Sequence, residues 1–105
     1  HVILFLIEEK KYPISLIAVE KQLKINSLLK RTDVVVFNTK GTPEILIECK
    51  APSVAISQAT FDQIARYNLT AQSNYLMVTN GLDHYFCQID VENETYVFLK
   101  DIPNY

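Results

Sequence analysis

The 105-residue sequence has only two cysteines, no excess of positive charge and no long apolar run. Its apolar stretch at the start is too short to span a membrane and lacks a signal-peptide cleavage pattern, so we expect no membrane segment. The formal net charge of −2 excludes a globally basic surface that would attract nucleic acid by charge alone. Any binding to phosphate therefore has to be local, or assisted by a metal ion or a neighbouring domain.

The cysteines and histidines do not have the spacing of a zinc site. Cys49 and Cys87 form no C-x-x-C motif, and His1 and His84 are scattered. Both cysteines fall in predicted strands. We therefore expect free, buried thiols in a reducing compartment, which indicates a cytoplasmic protein.

The composition is that of one globular domain. Hydrophobic residues make up 49% of the chain and charged residues 21%, and no internal repeat or low-complexity segment is present. A chain of this length forms one small domain with one core. We therefore expect residues 1–105 to be a single domain.

The segment from Arg31 to Lys50, RTDVVVFNTKGTPEILIECK, contains two short apolar runs joined by a turn. Runs of this length bounded by turn residues predict buried strands, and Gly41 supplies the positive φ that a tight hairpin needs. Side chains alternate between the two faces of a strand, so Glu48 and Lys50 share one face. In an antiparallel hairpin the start of the first strand lies beside the end of the second. Asp33 is then brought next to Glu48 and Lys50.

Two carboxylates and an ammonium at one end of an apolar sheet suit a divalent metal site. Neighbouring carboxylates repel, and a hard cation such as Mg²⁺ removes the conflict because it takes oxygen ligands. Asp33 and Glu48 are the predicted ligands, and the backbone carbonyl of Cys49 is a third candidate. The alternative is a solvated ion pair at a strand end, because isolated E-x-K patterns are common.

The segment from Ser57 to about Gln72 is the clearest predicted helix. Ser57 suits the N-cap position, and Ile56 can pack on Phe61 as a hydrophobic staple. Apolar residues at helical spacing predict its core face, namely Phe61, Ile64, Ala65 and Leu69.

Three further side chains lie on a neighbouring side of this helix. Gln63 and Tyr67 are four residues apart and therefore lie one above the other, with Arg66 beside them. Taken alone, this pattern is that of a polar helix flank with an amphipathic tyrosine at its edge.

The remaining segments complete a mixed sheet. The opening HVILFLIEEKK predicts the end of a helix, and 16–25 alternates like a half-exposed edge strand. A short apolar strand is predicted at 74–79, a second hairpin at 85–90 and 95–100, and a tail at 101–105. Because strand, helix and strand follow one another around residue 60, we expect a crossover onto the same sheet. The predicted class is α/β (α+β), a mixed sheet flanked by helices.

The order of these motifs resembles a known family. Asp33, then Glu48-x-Lys50, then a helix carrying Gln63-x-x-x-Tyr67 resembles the PD-(D/E)XK nuclease superfamily, whose fold is restriction-endonuclease-like. As in many members, the proline of the motif's name is missing before the aspartate.

Longer segments resemble one branch of that superfamily, the N-terminal nuclease domain of the R subunit of type I restriction enzymes. They are LIAVEKQLKIN, KRTDVVVFN, ILIECKAP, SQATFDQIARYN and YLMVTNGLDHYF, and they occur in the family's order. Together they span residues 16–86, most of the chain.

The resemblance implies a Mg²⁺-dependent DNA endonuclease of restriction–modification type, with Mn²⁺ as a substitute metal. Asp33 and Glu48 would ligate the metal, with the carbonyl of Cys49 assisting. Lys50 would orient or activate the attacking water and offset charge that develops on the phosphate.

The resemblance also implies roles outside the hairpin. Gln63 would help to position the catalytic groups or the substrate, and Tyr67 would contact the DNA backbone, with Arg66 beside it. The family often adds a glutamate from its first helix. The candidates in this sequence are Glu20, which we rank first because its strand face is polar, and then Glu8 and Glu9.

The partners implied are double-stranded DNA, a translocase (helicase) domain, and modification and specificity subunits. The chain has no G-x-x-x-x-G-K-[ST] phosphate loop and no room for a motor. We therefore expect a fragment of an R subunit or a small free-standing relative. Two alternatives stay open: a catalytically silent nuclease-fold module that binds DNA or docks on a protein, and an accidental E-x-K on an unrelated sheet.

Overall fold

A computed structural model describes the backbone of residues 2–20 and 33–105, and the side chains of residues 2–19, 34–66 and 72–105. Six strands form one sheet in the order β1-β2-β3-β4-β5-β6. They are β1 (Ile17–Glu20), β2 (Asp33–Phe37), β3 (Pro43–Cys49), β4 (Tyr75–Thr79), β5 (His84–Asp90) and β6 (Thr95–Leu99). The helices are α1 (Val2–Leu4), which continues as a π-helical turn (Phe5–Glu9), a 3₁₀ turn (Ile14–Leu16) and α2 (Gln58–Ala71).

The sheet is mixed because one pair of strands is joined by a helix. Strands β3 and β4 are parallel, and α2 connects them, whereas every other neighbouring pair is antiparallel. The predicted crossover and the predicted class, a mixed sheet flanked by helices, are confirmed. The β2–β3 hairpin turns through Gly41, whose φ is +83°. Its register shifts at a bulge between Val36 and Phe37.

The alternation of side chains along each strand gives the sheet two apolar faces. One, called here the α2 face, packs Val35, Leu46 and Val78 against Phe61 and Ile64 of α2. The other, called here the N-terminal face, is covered by the N-terminal helical segment and the C-terminal residues. Its core consists of Leu6, Tyr12, Val34, Val36, Ile45, Ile47, Met77 and Ile102.

Helix α2 begins as the sequence predicts. The hydroxyl oxygen of Ser57 accepts a hydrogen bond from the backbone N–H of Thr60 at 3.1 Å, which caps the helix. Phe61 is only 2% exposed, and Ile56 packs against the same core cluster. The helix is thereby fixed at its first turns, close to the end of β3.

The C-terminal end of the chain differs from expectation, and part of the predicted edge strand is not described. Strand β1 covers Ile17–Glu20, and residues 21–25 of the predicted edge strand lie outside the described residues. The predicted tail is instead packed against the N-terminal segment. Ile102 is 1% exposed, the Tyr105 N–H donates to the carbonyl of Lys10 at 2.9 Å, and the Tyr12 hydroxyl donates to the carbonyl of Pro103 at 2.8 Å. These contacts join distant parts of the chain, which no local pattern reveals.

No disulfide joins Cys49 and Cys87, as predicted, but only Cys87 is buried as expected, and Cys49 is half-buried. Cys87 is buried in the α2-face core, and this burial raises the pKa of its thiol to about 12, so it packs as a small apolar residue. Among the described helices, none has the length and apolar character needed to span a membrane.

Candidate active site

The centre of the candidate site is a carboxylate–ammonium pair at the end of β3. Because side chains alternate along the strand, Glu48 lies on the α2 face together with Leu46. Glu48 is 5% exposed, and its Oε1 lies 3.3 Å from the Nζ of Lys50. The sequence prediction that these two residues share one face is confirmed.

The strand register aligns two more acidic positions with Glu48. Val34 pairs with Ile47, so the next step of the same register sets Asp33 across from Glu48. On its other side, Asp33 pairs with Glu20 of β1. Residues directly opposite each other in antiparallel strands share a face. The three backbone positions therefore form one row, called here the acidic row, at one end of the sheet; the side chains of Glu20 and Asp33 lie outside the described residues.

The acidic row has the donor chemistry of a hard-metal site. Carboxylate oxygens are the ligands that Mg²⁺ takes in proteins. A carboxylate as buried as that of Glu48 is costly unless a cation is close, and Lys50 supplies one positive charge for the row. Among the described side chains, which do not include those of Asp33 and Glu20, no group of three or more His, Cys, Asp or Glu could hold a metal ion. The positions fit a divalent ion, and the metal role of Asp33, Glu48 and the Cys49 carbonyl stays a prediction.

The competing acidic candidates lie elsewhere. Glu8 and Glu9 are exposed in the π-helical turn, which packs on the N-terminal face through Leu6. Glu20, in contrast, belongs to a strand that pairs directly with β2. The register therefore favours Glu20 as the additional acidic residue.

Asn80 anchors the backbone around Lys50, and sequence reasoning missed this role. The Lys50 N–H donates to the carbonyl of Thr79 at 2.7 Å, which ties the end of β3 to β4. The next residue, Asn80, is 3% exposed, and its amide donates to the carbonyl of Val54 at 2.8 Å. Its Oδ1 accepts the backbone N–H groups of Leu82 and Asp83. The loop after Lys50 and the turn after β4 are thus held together by the side chain of Asn80.

Helix α2 starts at the same end of the sheet as the acidic row. Val78 pairs with Glu48 on one side and with Tyr85 on the other, and the Phe61 ring lies 6.1 Å from that of Tyr85. Gln63, two residues after Phe61, is exposed on α2. Its predicted positioning role is compatible with this placement and stays a prediction.

Of the other two candidates on α2, Arg66 lies away from Glu48, and the side chain of Tyr67 is not described. Arg66 is exposed and lines a small cleft with Glu94 and Tyr96, near the β5–β6 turn rather than near Glu48. The side chain of Tyr67 lies outside the described residues. Their predicted contacts with substrate stay predictions.

A second unpredicted cluster fixes the first turn of α2 against β6. The Tyr96 hydroxyl donates to Oδ1 of Asp62, and the Gln58 amide donates to the same oxygen at 2.9 Å. The Tyr96 hydrogen bond, followed by that of Gln58, lowers the pKa of the Asp62 carboxyl. The same hydrogen bond raises the pKa of Tyr96. Because Gln63 follows Asp62 directly, this cluster also fixes the orientation of the helix that carries Gln63.

A cleft of about 580 Å³ lies on the N-terminal face, away from the carboxylate of Glu48. It is lined by apolar side chains with Cys49, Thr79 and His84, and Thr79 Oγ1 and His84 Nδ1 are hydrogen-bonded at 2.6 Å. Cys49 lies on the opposite face of β3 from Glu48. The carboxylate of Glu48 therefore lies outside this cleft, whereas Cys49, whose carbonyl is a predicted metal ligand, lines it.

Residues 1–103 match the family model described as "Type I restriction enzyme R protein N terminus (HSDR_N)". Neither the search of curated proteins nor the search of solved structures returned a match.

Proposed function

Because the chain belongs to the family of type I restriction enzyme R protein N termini, we propose that it is a Mg²⁺-dependent DNA endonuclease domain, with the acidic row and Lys50 as its active site. The observation that carries this proposal is the buried carboxylate of Glu48, 3.3 Å from the Lys50 ammonium and in register with Asp33. This is the arrangement expected of the PD-(D/E)XK motif. The family membership supports the proposal.

The residues of the acidic row and Lys50 have different roles in phosphodiester hydrolysis. Asp33 and Glu48, with the Cys49 carbonyl, hold the metal, and Mn²⁺ substitutes for Mg²⁺. When bound, the metal supplies neutralisation of the phosphate charge and polarisation of the water that attacks. Lys50 holds that water in line with the scissile phosphate and donates a hydrogen bond to the charge that develops on the phosphate oxygens. Glu20 adds a third carboxylate at the β1 end of the row.

Helix α2 supplies the contacts next to the row. Gln63 positions the substrate or the attacking water, and Tyr67 contacts the DNA backbone. Arg66 contributes a more distant contact to phosphate. The substrate is double-stranded DNA, and the partners are a translocase domain and the modification and specificity subunits of a restriction–modification system.

The test is nicking of supercoiled plasmid by the purified protein with Mg²⁺ or Mn²⁺. We expect nicking that EDTA abolishes, and we expect Glu48→Gln to slow it by at least about 100-fold, because an electrostatic group acting on the reacting atoms is lost. The matched control is Glu44→Gln. Glu44 lies at the other end of β3, where the register shifts, and accepts a hydrogen bond from Asn74 at 2.9 Å.

The control separates chemistry from folding. Glu44→Gln should nick at the wild-type rate per folded molecule. Equal loss in both variants, or nicking that persists in EDTA, would contradict the proposal.

A further inference from the structure

Exposed aromatic rings lie on the α2 face beside the candidate active site. Tyr85 is 37% exposed and Phe98 is 46% exposed, although both contact the core through Phe61. The buried ring of Phe61 supports both, with centroid distances of 6.1 Å to Tyr85 and 4.9 Å to Phe98. We call Tyr85 and Phe98 the aromatic platform.

The strand register connects the platform to the acidic row. Glu48 pairs with Val78, and Val78 pairs with Tyr85, so all three share one row and one face. Neighbouring strands lie about 4.8 Å apart, which sets the backbone of Tyr85 about 10 Å from that of Glu48. Lys100 follows the last residue of β6 directly and is exposed, and Leu99 pairs with Phe86, the neighbour of Tyr85. The row therefore runs from carboxylates at one edge to the aromatic ring of Tyr85, with a lysine after the end of the next strand.

The platform is held rigidly in place. Tyr96 packs edge-on against Phe98 at 5.4 Å, and its hydroxyl is bonded to Asp62 of α2. A rigid aromatic surface loses little conformational entropy on binding. A flat, apolar partner can therefore stack on the exposed rings.

Charge and distance indicate what that partner is. The chain carries a formal net charge of −2, so attraction to phosphate provides little affinity, whereas stacking of bases on aromatic rings is independent of net charge. Stacked nucleotides rise about 3.4 Å each, so the platform lies within about three nucleotides of a phosphate held at the acidic row. A base can stack there only if it is unpaired.

We propose that Tyr85 and Phe98 stack an unpaired base of the DNA strand that is cut, and that Lys100 contacts the adjoining phosphate. The inference rests on the proposed nuclease function and specifies its substrate. Within double-stranded DNA, a site with locally unpaired bases, such as a gap, a flap or an unwound segment, is preferred to continuous duplex.

The test measures binding separately from cleavage. Fluorescent oligothymidylate and a hairpin duplex are titrated with the protein in Ca²⁺, beside Tyr85→Leu, Phe98→Leu and Tyr85→Phe. The leucine variants keep apolar bulk over Phe61, and Tyr85→Phe keeps the ring. Val97→Ala is the matched control, because Val97 is 63% exposed on the opposite face of the same strand as Phe98.

We expect tighter binding of the single strand than of the duplex. Tyr85→Leu and Phe98→Leu should each weaken single-strand binding by about 10-fold, while Tyr85→Phe and Val97→Ala bind as wild type. The leucine variants should keep the wild-type dependence of log Kd on log salt, whereas Lys100→Ala should reduce that slope by about 1.

The outcomes separate this inference from the proposed function. If both leucine variants bind single strand as tightly as wild type, or if duplex and single strand bind equally well, the proposed role of the aromatic platform is wrong, even if the plasmid is nicked. Single-strand binding that depends on the rings, without any nicking, would support the proposed role of the aromatic platform and contradict the proposed nuclease function. Concentration-dependent self-association that the leucine variants abolish, with DNA binding unchanged, would assign the rings to a contact between copies and overturn the proposal.

Discussion

Replacing Lys50 by alanine is expected to reduce DNA cleavage by at least about 100-fold while the fold is retained. The Lys50 ammonium lies 3.3 Å from Glu48 at the point where the phosphate is proposed to bind. A cation that stabilises charge developing in the transition state contributes a factor of about 10² to 10³ in rate. The rate is measured per folded molecule at saturating Mg²⁺.

Lys50→Ala is also expected to lower the free energy of unfolding, by an amount that depends on Mg²⁺. Removing Lys50 leaves the carboxylate of Glu48 without that cation, which we expect to cost about 1–3 kcal/mol of unfolding free energy. Mg²⁺ should restore part of this loss, because it supplies positive charge at the same place. Thermal melts of the variant with and without Mg²⁺ measure the difference.

Lys10→Ala is the matched control for Lys50. Lys10 also forms an ion pair, with 2.6 Å between its Nζ and Oδ2 of Asp101, and its side chain is similarly covered. It lies on the N-terminal segment, away from the acidic row. We expect Lys10→Ala to lower stability without changing the cleavage rate per folded molecule. If Lys50→Ala instead cleaves at the rate of Lys10→Ala, Lys50 is not part of the active site.

Phe61→Ala is expected to have the largest effect on stability. Phe61 is 2% exposed, and its ring contacts those of Tyr85, Tyr96 and Phe98 with centroid distances of 4.9–6.1 Å. Truncation of a buried phenylalanine costs about 3–5 kcal/mol because it removes apolar contacts and leaves a cavity. For a domain of about 100 residues this lowers Tm by at least about 12 °C.

The measurement is thermal or urea unfolding followed by far-ultraviolet circular dichroism. Phe98→Ala is the control, since Phe98 is 46% exposed and loses fewer contacts when truncated. We expect it to cost clearly less than Phe61→Ala. Equal costs for the two variants would show that α2 is not fixed to the sheet through Phe61.

The hairpin and its face assignments were predictable because they depend on local patterns. Short apolar runs, the turn at Gly41 and the period of two fix β2, β3 and the shared face of Glu48 and Lys50. The N-cap at Ser57 is likewise a local signal, and its hydrogen bond to Thr60 is present. The position of Asp33 across from Glu48 follows from the same hairpin register.

Other features depend on contacts between distant segments and could not be predicted. The sequence ranks Glu20 before Glu8 and Glu9 through its polar strand face alone, and its place across from Asp33 depends on the pairing of β1 with β2. The hydrogen bonds of Asn80 to the loop after Lys50, and of Tyr96 to Asp62, have no sequence signature. The packing of Ile102 under the sheet is also a tertiary effect, since the last residues have no periodic pattern.

The central claim is that the acidic row holds a divalent ion, and titration with Mn²⁺ tests it most directly. Calorimetry or electron paramagnetic resonance would count bound Mn²⁺ in the wild type, Asp33→Asn, Glu48→Gln and Glu44→Gln. We expect the wild type to bind Mn²⁺ at one site, and Mg²⁺ to compete for that site. Asp33→Asn and Glu48→Gln should each abolish binding, whereas Glu44→Gln should retain it. Mn²⁺ binding that survives both row substitutions, or no binding to the wild type, would contradict the account and favour a catalytically silent nuclease-fold module.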